Sequence, residues 1–193
     1  IIDKALNKLK SSGFDFTRLT RDANNNILAV NVFYAGTPES GWAKGLWPHS
    51  GWYDGSFNAN GIRVGAYQIT DIGSELTMGT FCHENGHLVC DWPDFYSYDD
   101  HSDNNEIYCF GCGSDKAPGM PSAWQRDKHG WLDIKDITNL KGGELIKLHA
   151  FKPECAIYRG TTSGTPNEMY YMEIRKNGGR FVEPKEGILI WHN

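Results

Sequence analysis

Apolar positions at helical spacing, Ala5, Leu6 and Leu9, mark Asp3–Lys10 as a short amphipathic helix that Gly13 ends. Ile27–Ala35 (ILAVNVFYA) is β-branched and aromatic without a breaker, which predicts a buried strand. Gly61–Thr70 (GIRVGAYQIT) alternates and predicts a second strand. Between them, Gly36–Gly61 is rich in Gly, Trp and turn residues and predicts a long loop, a kind that usually carries function. Ser74–Phe81 is small or apolar and opens a helix with Ser74 as its cap. Pro121–Leu132 starts with Pro and closes at Gly130, which predicts another helix. Glu144–His149, Glu168–Ile174 and Gly187–Trp191 read as strands separated by turns. The pattern is that of an α+β chain, with no internal repeat and no low-complexity tract.

The chemistry concentrates in Phe81–Tyr98 (FCHENGHLVCDWPDFYSY). It holds His-Glu-x-x-His, from His83 and Glu84 to His87. Residues four apart on a helix share a face. Both imidazoles therefore reach one metal ion while Glu84 projects beside it. That is the arrangement for Zn²⁺ with two His ligands and a carboxylate general base. A chance match on an ordinary helix is the plain alternative. Three features argue against chance: Gly86 inside the helix, the nearby Asp91 and Asp94 around Pro93, and the density of Trp92, Phe95, Tyr96 and Tyr98. In zinc peptidases an edge strand just before the zinc helix commonly lies alongside the substrate, and Gly61–Thr70 is either such a strand, pairing with an extended peptide, or an ordinary interior strand.

Composition narrows the partners. The net charge of −5 argues against a nucleic-acid surface, and no apolar run reaches membrane-spanning length. The abrupt ends, Ile1–Ile2 and Trp191–His192–Asn193, read as those of a fragment of a longer precursor. Five cysteines, Cys82, Cys90, Cys109, Cys112 and Cys155, leave at least one thiol free or paired outside this fragment. A disulfide from Cys90 to Cys109 or Cys112 is expected in preference to a zinc pair at Cys109 and Cys112. Asp22–Asn26 (DANNN) invites a Ca²⁺ reading, but Ile27 and Phe33 stand where a calcium loop needs Gly and Glu. A turn is the better expectation, with Ca²⁺ kept as a minor one. Asp99–Glu106 is a solvated acidic loop or a cation site. His49, in Trp47-Pro48-His49, touches substrate or metal, or is packed among tryptophans; packing is the commoner outcome.

These residues together resemble a family, the immune-inhibitor-A-like secreted bacterial metallopeptidases of the wider zincin group. The resemblance rests on Asp15-Phe16, on Phe33-Tyr34-Ala35-Gly36 and on Leu46-Trp47-Pro48-His49. It continues through Phe81–His87, Trp92-Pro93-Asp94-Phe95-Tyr96 and Tyr108-Cys109. Ala123-Trp124 to Gly130-Trp131 and Gly187–His192 complete it. These pieces run in family order over nearly the whole chain. The resemblance implies a zincin-like catalytic domain, a twisted mixed sheet with the active-site helix, over residues 1–135, and a β-rich continuation over 136–193. It makes His83 and His87 zinc ligands, Glu84 the general base and Asp94 the third ligand. It also implies secretion, a protein or peptide substrate and a propeptide outside this fragment.

Two departures stand out. Related sites have Gly three residues after the second His and the third ligand six after it; here Cys90 and Pro93 stand there and Asp94 comes seven after. Asp91 and Glu106 are the alternatives for the third ligand. The family's Tyr-Cys-Leu-Met turn is Tyr108-Cys109-Phe110-Gly111, so another group, such as Cys112, fills the floor beneath the metal. The expected activity is zinc-dependent endopeptidase cleavage, with Tyr108 and His49 as substrate-binding donors. A rival reading is a catalytically inactive zinc-containing module that grips peptides or glycans through Gly41–Phe57, which carries three Trp. A zinc hydrolase acting on other amide bonds is a third.

Overall fold

The computed structural model describes residues 1–36, 46–72, 78–95, 113–114, 117–160, 167–178 and 186–193. Over these the chain is mixed α+β, with few helices and several sheets. It divides into two compact units, Ile1–Pro93 and Asp94–Asn193.

The first unit begins with α1 (Ile2–Ser11), one residue longer at each end than its sequence pattern. Asp3 in the first turn and Lys8 and Lys10 in the last complement the helix dipole. Leu6 is its buried residue. Leu6 packs with Phe16, Ile27, Phe57, Ala59, Ile62 and Val64 in one apolar cluster. Burying side chains of this size stabilises by roughly 1.5–3 kcal/mol each.

The run 27–35 does not form one buried strand. It splits into β1 (Asn26–Ile27) and β2 (Val30–Tyr34), joined through the exposed Leu28. Only alternate residues of β2 are covered, and then only in part. Three more strands precede the next helix: β3 (His49–Trp52), β4 (Arg63–Val64) and β5 (Ala66–Asp71). β1 pairs in parallel with β4. Asn25 supports that pairing in the left-handed region, φ 65°, with its side-chain amide donating to Gly61 C=O at 2.9 Å. Asp22 accepts from Asn24 N–H, Asn26 N–H and the Asn26 amide, so its carboxylate closes a turn.

β2, β5 and β3 form a three-stranded sheet in that order, β2 parallel and β3 antiparallel to β5. The strand expected at the edge, Gly61–Thr70, is therefore interrupted at Gly65, and its second half is central. Among the described residues the outer strands are β2 and β3, the latter a strand inside the expected loop. Helix α2 (Met78–Cys90) packs against β5 and β3. Phe81 of α2 stacks on Phe33, ring centroids 5.4 Å apart. Side chains alternate across a strand. The register therefore puts Asn31, Phe33, Ser50, Trp52, Gln68 and Thr70 on the helix-bearing face. Gln68 and Thr70 are fully buried there. They stay satisfied because Gln68 donates to Asn31 and Thr70 donates to Gln68.

The second unit holds a small hairpin, β6 (Gly113–Ser114) with β7 (Ala117–Pro118). Helix α3 (Ala123–Lys128) follows, shorter than its sequence pattern. Ser122, not Pro121, caps it, in a reciprocal capping box with Gln125. A four-stranded sheet has the order β11 (Gly187–His192), β10 (Met169–Arg175), β9 (Glu154–Arg159), β8 (Asp133–Asp136). Its core is Ala123, Cys155, Ile157 and Tyr171. β8 pairs in parallel with β9, and α3 packs on β10, which is why residues before 135 belong with the C-terminal sheet. The expected strand Glu144–His149 is absent: those residues are described but pair with nothing as a strand, and Leu145 is exposed.

Arg126 of α3 and Arg175 of β10 both bond the buried Glu173 carboxylate, which also accepts from Trp191 Nε1 at 2.7 Å. Arg175 reaches on to the carbonyls of Met120 and Pro121. The helix start is thus held to the sheet by ionic contacts as well as apolar ones.

Candidate metal centre

Helix α2 is not an ordinary amphipathic helix. Gly79, His83, Glu84 and Gly86 are its buried residues, so polar groups lie where an apolar stripe would usually be. His83 and His87 are one turn apart, and their Nε2 atoms approach to 3.1 Å. The ring planes cross at 85° with centroids 4.6 Å apart. Asp94 joins them: one ligand atom from each of His83, His87 and Asp94 lies within 4.8 Å of the others.

The chain after the helix explains how Asp94 arrives. Asp91 takes φ 52°, a left-handed conformation that Asp and Asn tolerate better than most residues. Its N–H donates to His87 C=O, and Trp92 N–H donates to Gly86 C=O, both at 3.2 Å. The chain thereby folds back over the last helical turn. Trp92 is buried, and its carbonyl oxygen lies 2.5 Å from His87 Nδ1. A carbonyl only accepts, so Nδ1 carries the proton and the Nε2 lone pair is left for the site. Asp94, seven residues after His87, follows directly on this left-handed turn.

The donor set suits zinc. Two imidazole nitrogens on a tetrahedral ion at 2.0–2.1 Å would be roughly 3.3 Å apart, close to the observed separation. A half-buried carboxylate completes a three-ligand set, and the carbonyl behind His87 is the usual partner that orients such a ligand. Cys82 and Cys90 lie on the same helix, but burial pushes both thiols up, toward the neutral form that is a poor ligand.

The other candidates are placed as follows. Asp91 is exposed and makes the turn; it is not in the group. Glu84 is buried next to His83. His49 lies on the sheet face opposite α2, in register with Ile69. Its Nδ1 donates to Trp47 C=O at 2.8 Å and its Nε2 accepts from Tyr67 O–H at 3.1 Å. Its ring packs on Trp47, so it is a hydrogen-bonded packing residue. Tyr108, Glu106, Cys109, Cys112, Ser74 and the acidic run from Asp99 lie outside the described residues. The expected bond from Cys90 to Cys109 or Cys112 falls on partners outside the described residues. Sequence reasoning missed the Trp92 carbonyl, since main-chain groups leave no mark on residue identity. It also missed the edge strand β3, whose Gly-Trp composition reads as loop. No family model, curated protein or solved structure matches the chain.

Proposed function

We propose that this chain is a zincin-like, zinc-dependent endopeptidase. The observation that carries the reading is the convergence of His83 Nε2 and His87 Nε2 at 3.1 Å with Asp94 beside them. His83, His87 and Asp94 would hold the ion. When bound, zinc supplies Lewis acidity, which lowers the pKa of water toward ~7 and polarises a carbonyl. Glu84 accepts the proton of the attacking water and returns it to the leaving amine. Trp92 C=O keeps His87 in the tautomer that presents Nε2.

Edge strand β3 offers the substrate a main-chain partner. Tyr53 N–H bonds Gly65 C=O, which fixes the ladder parity. His49 and Gly51 then bond inward to β5, and the N–H and C=O of Ser50 and Trp52 point outward. An extended peptide pairing there would bind with little dependence on its sequence. Secretion, a protein or peptide substrate and a propeptide belong to the same reading.

The test is metal analysis of the purified chain beside cleavage of a denatured protein, with and without chelator. About one zinc per chain and chelator-sensitive cleavage are expected. Glu84→Ala should retain the metal and lose at least ~10²-fold in cleavage. Full activity in that variant would overturn the assignment.

A further inference from the structure

Trp52 is the most exposed aromatic side chain among the described residues, at 83 %. Exposing an indole is unfavourable. Its position is specific. It sits on the edge strand β3, and its register with Ala66 puts it on the face that carries α2. Ser50, two residues earlier, shares that face. Both N–H and C=O of Trp52 point to the outer edge, so a residue placed antiparallel to it would exchange two hydrogen bonds with it. Cross-strand neighbours share a face, with Cβ atoms roughly 4.5–5.5 Å apart. The side chain of that partner residue would therefore lie against the indole, on the same face as the metal helix.

We infer that Trp52 is a specificity-determining residue: it selects peptides with an aromatic or large apolar side chain directly across β3 from it. The inference rests on the peptidase reading for its substrate class. The main-chain bonds of Ser50 and Trp52 hold any extended peptide, and the indole supplies the side-chain preference. Aromatic pairs of this kind add specific attraction beyond the area they bury. A preference of roughly tenfold for Phe over Gly follows from that strength of contact. The next peptide residue points to the opposite face and should be indifferent to Trp52.

The experiment measures binding to the Glu84→Ala chain, so that cleavage does not intervene. The probes are capped Ala-based hexapeptides that carry a single Gly, Leu or Phe. The Phe peptide should bind roughly tenfold more tightly than the Gly peptide, with Leu between. Trp52→Ala should erase that difference, and Trp52→Phe should restore most of it. Equal loss for all peptides in Trp52→Ala, an undiminished Phe preference, or no peptide binding at all would overturn the inference. Chelator-sensitive cleavage by the wild-type chain is followed in parallel. A Trp52-dependent preference without cleavage would sink the peptidase reading and leave the binding preference standing. Cleavage with a preference indifferent to Trp52 would do the reverse.

Discussion

The Nδ1 of His87 lies 2.5 Å from the carbonyl oxygen of Trp92, five residues along the chain. This one contact sets the tautomer of a candidate ligand and ties the post-helix turn to the helix. Because the partner is a carbonyl, the side chain that anchors it is what can be tested. Trp92 is buried, so Trp92→Ala should cost about 3–5 kcal/mol of stability. It should also weaken zinc binding by roughly 10–100-fold by releasing the carbonyl. Trp92→Phe should recover most of both. Chelator-competition titrations and denaturant melts measure the two effects separately.

The left-handed Asp91 makes a second prediction, because backbone shape and ligand identity separate at neighbouring positions. Asp91→Gly should keep zinc, since Gly adopts φ 52° readily. Asp91→Val should cost about 1–2 kcal/mol and reduce zinc occupancy by displacing Asp94. Asp94→Ala should reduce occupancy without that cost in stability. Unchanged metal content in Asp94→Ala would move the third ligand elsewhere.

In the second unit, Glu173 is buried between Arg126 and Arg175. Glu173→Leu leaves two guanidinium groups without their shared carboxylate. Breaking such a buried set should destabilise by about 3–5 kcal/mol. Chemical denaturation followed by Trp fluorescence reads this directly, and Trp191 reports from inside the network.

Cys155 predicts behaviour at alkaline pH. It is fully buried, and burial, reinforced by the negative charge of Glu173, pushes its thiol up to about 12. Between the ordinary thiol value and about 12, the unfolded chain has lost a proton that the folded chain keeps. The folded state then binds more protons, so stability falls as pH rises through this window. Denaturant midpoints compared at several pH values should fall less steeply in Cys155→Ala. The thiol should also resist alkylating reagents until the unit unfolds.

The local signals were legible because they need only near neighbours. The i, i+4 histidines declare a shared helix face, and α1, β10 and β11 follow their apolar periodicities closely. Asp94 was legible as a candidate, although its spacing left Asp91 and Glu106 open. What decided the geometry is a backbone angle at Asp91, and residue identity makes such an angle only permissible.

The sequence by itself determined which side chains could act: two imidazoles one turn apart, an acid between them and a carboxylate soon after. Tertiary structure decided where strands end and which of them form edges. β3 comes from a Gly- and Trp-rich stretch, yet it becomes a strand by pairing with β5. Residues 144–149 read as a strand and yet form none in the structure. A strand is stabilised by a partner that is distant in sequence, and periodicity carries no information about whether that partner is present. The same physics places His49 on the far face and Trp52 on the near one, since a register shift of one residue would exchange them.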